Sequence, residues 1–236
     1  MEASAPTPTA RIGAELDRIE AAVASGNTDL SGLGFWRLVG EVKRDPVLVG
    51  THADQIGRID TAVFRARVRL RVPVWAGNAL LLAGIVVGAA AVVVAARTED
   101  AVAGIALLAA AGIWALAVHS PTHWVVGWLA GIRFTDYFLG GPPPPRPGLK
   151  TDYATYLRAE PAMRAWFHAS GAIATKLAPF VALALAPLTN APAWAVWATA
   201  GLAVFQIVTD VLFSVKSSDW KKFRRERAVA AATSTH

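Results

Sequence analysis

Residues 101–132 read AVAGIALLAAAGIWALAVHSPTHWVVGWLAGI, an apolar run interrupted only at His119-Ser-Pro-Thr-His123. At 1.5 Å per residue, 32 residues of helix reach about 48 Å, whereas the hydrocarbon of a bilayer is about 30 Å thick. The run therefore predicts a membrane crossing from 101 to about 121 that bends at Pro121 or continues into the interface. The interruption sits where that crossing surfaces.

Three more apolar runs flank it. Residues 73–96 hold Asn78 as the only polar side chain well inside, 169–187 carry Lys176 and Pro179, and 192–215 carry Gln206 and Asp210. Short turns, Arg97-Thr-Glu-Asp100 and Leu188-Thr-Asn-Ala191, separate them in pairs. A chain of 236 residues that is 54% hydrophobic and 17% charged, with a mean hydropathy of +0.41, has more apolar surface than one soluble domain can bury. A water-soluble enzyme is excluded. The expected fold is an all-α integral membrane protein with four transmembrane helices, at about 73–96, 101–121, 169–187 and 192–215. A helical cytosolic or interfacial segment over 1–72 precedes them, a polar connection fills 133–167, and a basic cytosolic tail covers 216–236.

In the N-terminal segment, Leu16, Ile19 and Val23 share a helical face, a second helix runs through Phe35, Leu38, Val39 and Val42, and a third follows Asp45-Pro46 with Ile56, Ile59 and Val63. At this size the segment is expected to pack on the membrane domain rather than fold independently. Arg65, Arg67, Arg69 and Arg71 alternate with small or apolar residues just before the first span, which reads as an anchor for anionic headgroups. Gly140 to Pro147 reads as a stiff extended loop, and Trp220 and Phe223 as aromatic anchors of the basic tail. No cleavable leader is read in residues 1–12, so the first span is expected to direct insertion.

Lysine and arginine set the orientation. Ten lie in residues 1–72, five in 133–168 and six in the tail, against Arg97 and none in the two opposite turns. The chain is accordingly expected in a plasma or inner membrane with both termini cytoplasmic. The net charge of +6 belongs to this bias, and no nucleic acid is expected as a partner. With no cysteine, any metal site must use histidine and carboxylate.

Few ionisable groups enter the apolar runs, and those that do converge in depth. His119 lies 18 residues from Ala101, and Asp210 lies 18 residues from Pro192, so each is about 27 Å along its helix from the same side. His168 opens the third run near that level. Ionisable residues at membrane depth are costly and mark function. His119 and His123, four residues apart, face one side of a helix at a spacing that suits one zinc ion. Asp210 would complete a two-histidine, one-carboxylate set, with Gln206 one turn away as a supporting hydrogen-bond partner. The competing reading pairs Asp210 with Lys176 as an ion pair that needs no metal. Gly84-x-x-x-Gly88 and Gly127-x-x-x-Gly131 permit close helix contact.

In order, the chain carries His119-Ser-Pro-Thr-His123, then Gly127 and Gly131, a polar connection, Arg164-x-x-x-His168-Ala-Ser-Gly171-Ala-Ile-Ala-Thr175, and finally Asp210. Over about 101–215 this resembles the site-2 protease family of intramembrane zinc metalloproteases. The resemblance implies zinc held by His119, His123 and Asp210, and a transmembrane protein or peptide as substrate or partner. That family uses a glutamate after the first histidine as its general base, where this chain has Ser120; its Gly-Pro-x-x-Asn segment is Gly171-Ala-Ile-Ala-Thr175 here, and its Asp-Gly pair is Asp210-Val211. A serine cannot take a proton from metal-bound water near neutral pH, so impaired or lost peptidase activity is implied. Asp136, a few turns past His123, is the one other carboxylate that could substitute as base. The alternative function is a small non-catalytic scaffold or transporter-like bundle, in which a second copy of the chain could form an oligomer.

Overall fold

The computed structural model describes residues 7–140, 146–212 and 218–233. They fall into two compact units, one drawn from 1–73, 130–163 and 227–236 and the other from 74–129 and 164–226.

The first unit opens with α1 (Pro8–Ala24), α2 (Phe35–Val42) and α3 (Pro46–Arg67). Thr7 and Asp45 accept hydrogen bonds from the first-turn amides of α1 and α3 and fix where each begins, with a proline in each first turn where no N–H is needed. Their inward stripes, Ile12, Leu16 and Ile19 against Phe35, Leu38 and Val42 and against Ile56 and Ile59, form one core. Leu157 of α7 (Tyr153–Arg158) completes it. The N-terminal helices thus share a core that a residue far along the chain returns to fill. The polar connection also carries strands that the reading of its residues as a connection does not anticipate. β1 (Leu70–Pro73), β2 (Phe134–Gly140) and β3 (Arg146–Thr151) make an antiparallel sheet in that order. The architecture is therefore helical with a small sheet, and the arginine alternation ends in an edge strand. The Pro142–Pro145 tract lies outside the described residues.

The second unit holds α4 (Val74–Arg97), α5 (Asp100–Ala117), α6 (His119–Leu129), most of α8 (Pro161–Leu185), α9 (Ala193–Leu212) and the first half of α10 (Asp219–Thr233). Four stretches are long and apolar enough to cross a membrane: Val74–Arg97, Asp100–Leu129, Pro161–Leu188 and Ala193–Asp210. The chain is thus built as a multi-pass helical membrane protein. The second stretch breaks at Val118, between α5 and α6, four residues before Thr122 and three before Pro121. Pro121 has no N–H to offer Ala117, and its ring crowds that carbonyl, so the helix restarts with the two histidines in its first turns. The third stretch begins at Pro161, eight residues earlier than expected, and carries Arg164 and His168 within it.

Small residues let these helices approach closely. Gly88 lies under the Trp114 indole, whose Nε1 donates to the Ile85 carbonyl at 2.9 Å, and Gly84 faces Ala117. Ala178 and Ala182 of α8 pack with Leu107, Ala111 and Trp114 of α5. At the other end, the Asn190 amide donates to the Ala96 and Thr98 carbonyls at 3.1 Å each, tying the two short turns together.

Candidate metal centre

The His119-Ser-Pro-Thr-His123 segment starts α6, so both imidazoles leave the same side of one helical turn and meet edge to face, with ring centroids 4.8 Å apart. Each is held from behind. His123 Nδ1 lies 2.6 Å from the Phe167 carbonyl oxygen on α8, and His119 Nδ1 lies 2.9 Å from the Thr175 hydroxyl, two turns along the same helix. A carbonyl only accepts, so Nδ1 of His123 carries the proton. The Ser170 hydroxyl donates to the same carbonyl at 2.8 Å. Gly171 makes room for this packing, since a Cβ there would overlap the His123 ring.

Both free nitrogens point at one atom. Asp219 Oδ2 is 3.4 Å from His123 Nε2 and 3.5 Å from His119 Nε2. The three ligand atoms all lie within 4.8 Å of one another. Ligands bound tetrahedrally at about 2.1 Å stand about 3.4 Å apart, so the two histidine–carboxylate edges already match a zinc-sized ion. The tautomer sharpens the chemistry. With Nδ1 protonated, His123 meets the carboxylate either through a second N–H as imidazolium or through a lone pair, and in the second case a cation, or a water donating to both, satisfies the pair.

Asp219 stands in the first turn of α10, a helix the sequence reading treated as a headgroup tail. Burial opposes its ionisation, but hydrogen bonding to His123 and the charge of Lys222, whose Nζ is 3.3 Å from Oδ1, outweigh this and hold the carboxyl well below the usual carboxylate range. Seven residues on, Glu226 accepts from Arg164 Nε at 2.8 Å. That pair is almost wholly buried, with side-chain exposures of 7% and 2%. Trp166 and Phe223 pack between the two contacts, with ring centroids 5.6 Å apart. The α10 helix is thus seated on α6 by Asp219 and on α8 by Glu226, while Arg224 and Arg225 remain exposed.

The residues expected in the site are divided. His119 and His123 come together, but the structure places Asp210 against Lys176, as an ion pair at 2.7 Å, and gives the histidines Asp219 instead. Lys176 belongs to α8 and Asp210 to the last turn of α9, so the longer lysine reaches the acid that sequence depth had assigned to the imidazoles. Gln206, one turn before Asp210, has its Oε1 buried without a hydrogen-bond partner and takes no part in the histidine cluster. His168 stacks beside Phe167, with ring centroids 4.8 Å apart, and is not among the three converging ligands. Asp136 lies in β2, opposite Lys150 of β3, rather than on a continuation of α6. Asp219 was missed because an acid inside KSSDWKKFRRER reads as a solvated residue of a basic stretch. The signal that marks it is the spacing to Glu226: two acids seven residues apart share one face of an otherwise basic helix. Comparison with protein-family models, with characterised proteins and with solved structures gives no match to this chain.

Proposed function

We propose that this chain is a membrane metal-binding protein, with zinc or a similar divalent ion held by His119, His123 and Asp219 at the end of its second span. One observation carries the reading: both Nδ1 atoms are engaged by α8 while both Nε2 atoms converge on one carboxylate oxygen. This is the arrangement in which outer partners orient imidazoles for a metal. Three protein ligands leave a position for water or an anionic group, as in catalytic rather than closed structural sites.

The site-2-protease-like reading then changes in one particular. The third ligand comes from a helix beyond the last span, and Asp210 is released to neutralise Lys176. With Ser120 where that family has its base, the metal would bind and orient a peptide carbonyl without activating water efficiently. The function proposed is capture or regulation of another membrane protein at the cytoplasmic interface of a plasma or inner membrane, with the lysine- and arginine-rich segments on the cytoplasmic side. The second reading, a scaffold organised by charge pairs, is favoured by the Lys176–Asp210 and Arg164–Glu226 contacts, which need no metal.

Metal content separates the two. Purified wild-type protein is expected to retain about one zinc ion per chain, and Asp210→Asn to keep it. His123→Ala and Asp219→Ala lose it. A metal-free wild type that also fails to take up added zinc overturns the reading in favour of the scaffold.

A further inference from the structure

The small sheet has two faces of different character. Register sets Leu70 opposite Leu139 and Val72 opposite Tyr137, and on the other side Tyr137 opposite Leu149 and Leu139 opposite Pro147. Paired residues share a face, so these six make one face that is apolar apart from the tyrosine hydroxyl. The opposite face is covered by α3: Phe138 meets Phe64 edge-on at 5.1 Å, and Lys150 pairs with Asp60. Tyr137, at the middle of the first face, is buried, and the face is open along its β1 edge and at Leu139. Leu70 is 61% exposed, Val72 43% and Leu139 41%.

Its setting identifies what covers it. Arg65, Arg67, Arg69 and Arg71 are all exposed along the approach to β1 and within it. β1 ends at Pro73 and α4 begins at Val74, with no linker, and Trp75 in the first turn of that helix is 75% exposed. Four residues of extended chain span at most about 14 Å, so Leu70 is tethered within reach of the level at which α4 would enter hydrocarbon. Exposed tryptophan at such a level is an interfacial anchor. An apolar edge strand left in water is an aggregation hazard, whereas a strand with Leu70 and Val72 on one face and the exposed Arg69 and Arg71 alternating onto the other is amphipathic and suits the interface of an anionic leaflet.

We infer that the β1–β2–β3 sheet lies on the bilayer, with Leu70, Val72 and Leu139 in the boundary between headgroups and acyl chains and Arg69 and Arg71 on anionic lipid phosphates. This rests on reading Val74–Arg97 as a span, and it is independent of any metal.

The absence of native cysteine makes the test direct. Single cysteines at Leu70, Leu139, Val87 in α4 and Thr51 in α3 are labelled with bimane in full-length protein, reconstituted in nanodiscs of phosphatidylcholine with or without phosphatidylglycerol. Quenching by lipid-borne nitroxide is expected to be at least about threefold stronger at Leu70 and Leu139 than at Thr51, with iodide quenching in the reverse order. Adding Arg69→Gln and Arg71→Gln is expected to bring the values in anionic discs down to those in neutral discs. Leu70 and Leu139 behaving like Thr51 while Val87 is quenched overturns the inference and leaves the span intact. A Val87 label that lipid nitroxide does not quench overturns the span and the inference with it. Labels at Leu70 and Leu139 shielded from both quenchers mean that protein covers the face, which also overturns it.

Discussion

Gly171 is the residue on which the His119–His123–Asp219 geometry turns. A Cβ there would overlap the His123 ring, and the ring cannot swing away cheaply because its Nδ1 is held on the Phe167 carbonyl at 2.6 Å. Gly171→Ala is therefore expected to weaken metal binding at least about tenfold, as loss of an orienting contact does, and to cost about 1–3 kcal/mol through overpacking. Gly201→Ala, where nothing lies within 4 Å of the added methyl, is the control and is expected to keep both metal and stability. Zinc titration and thermal unfolding in detergent check the pair; unchanged affinity in Gly171→Ala would show that the ring orientation is not what holds the ion. At this scale the sequence was legible where local spacing decides. His119 and His123 meet because helical geometry brings i and i+4 together. The choice between Asp210 and Asp219 was not legible, since it depends on the reach of Lys176 and on where a later helix folds back.

Among the elements, α10 is the one whose role composition concealed. Its basic residues suggest a solvated or headgroup-bound tail, yet its acids seat it by Asp219 at one end and Glu226 two turns on. The Arg164–Glu226 pair is the sensitive point, because removing one partner of a buried pair strands the other charge at a cost of about 3–5 kcal/mol, while replacing both with apolar residues is often neutral. Glu226→Gln is expected to free α10, so that trypsin cuts at Lys221, Lys222, Arg224, Arg225 or Arg227 at least about tenfold faster. The double change Arg164→Met with Glu226→Met is expected to restore resistance. Equal cleavage of wild type and Glu226→Gln would mean that the pair does not hold the helix. The sheet was concealed for a related reason. Leu70–Pro73 is four residues long, too short for an alternation signal to separate strand from helix end, and its one partner strand, β2, pairs with it from more than 60 residues away. The four long apolar helices needed no partner to be recognised, because crossing length and hydropathy are properties of each run alone.

For the whole molecule, charge distribution orders what the fold leaves undetermined. The short turns at 98–99 and 189–192 are bound to each other through Asn190, so they lie on one side of the bundle. They are nearly free of lysine and arginine, whereas 21 of the 23 basic residues lie in the segments joined to the other ends of the helices. A membrane that retains positive charge on its cytoplasmic side therefore orients all four spans at once, with no conflict among them. Single cysteines test this in intact cells with a membrane-impermeant maleimide. Cysteine at Thr98 or Thr189 is expected to label from outside, and cysteine at Ser25 or Ala228 only after permeabilisation. Labelling of Thr98 and Ser25 from the same side would require an even number of crossings between them, and the single long apolar helix there, Val74–Arg97, would then not span. If Thr98 and Thr189 instead label only after permeabilisation while Ser25 and Ala228 label from outside, the spans stand but the metal cluster, about 28 Å along α5 and α6 from Asp100, faces the outer leaflet. The side on which Thr98 reacts thus decides which compartment the His119–His123–Asp219 cluster faces.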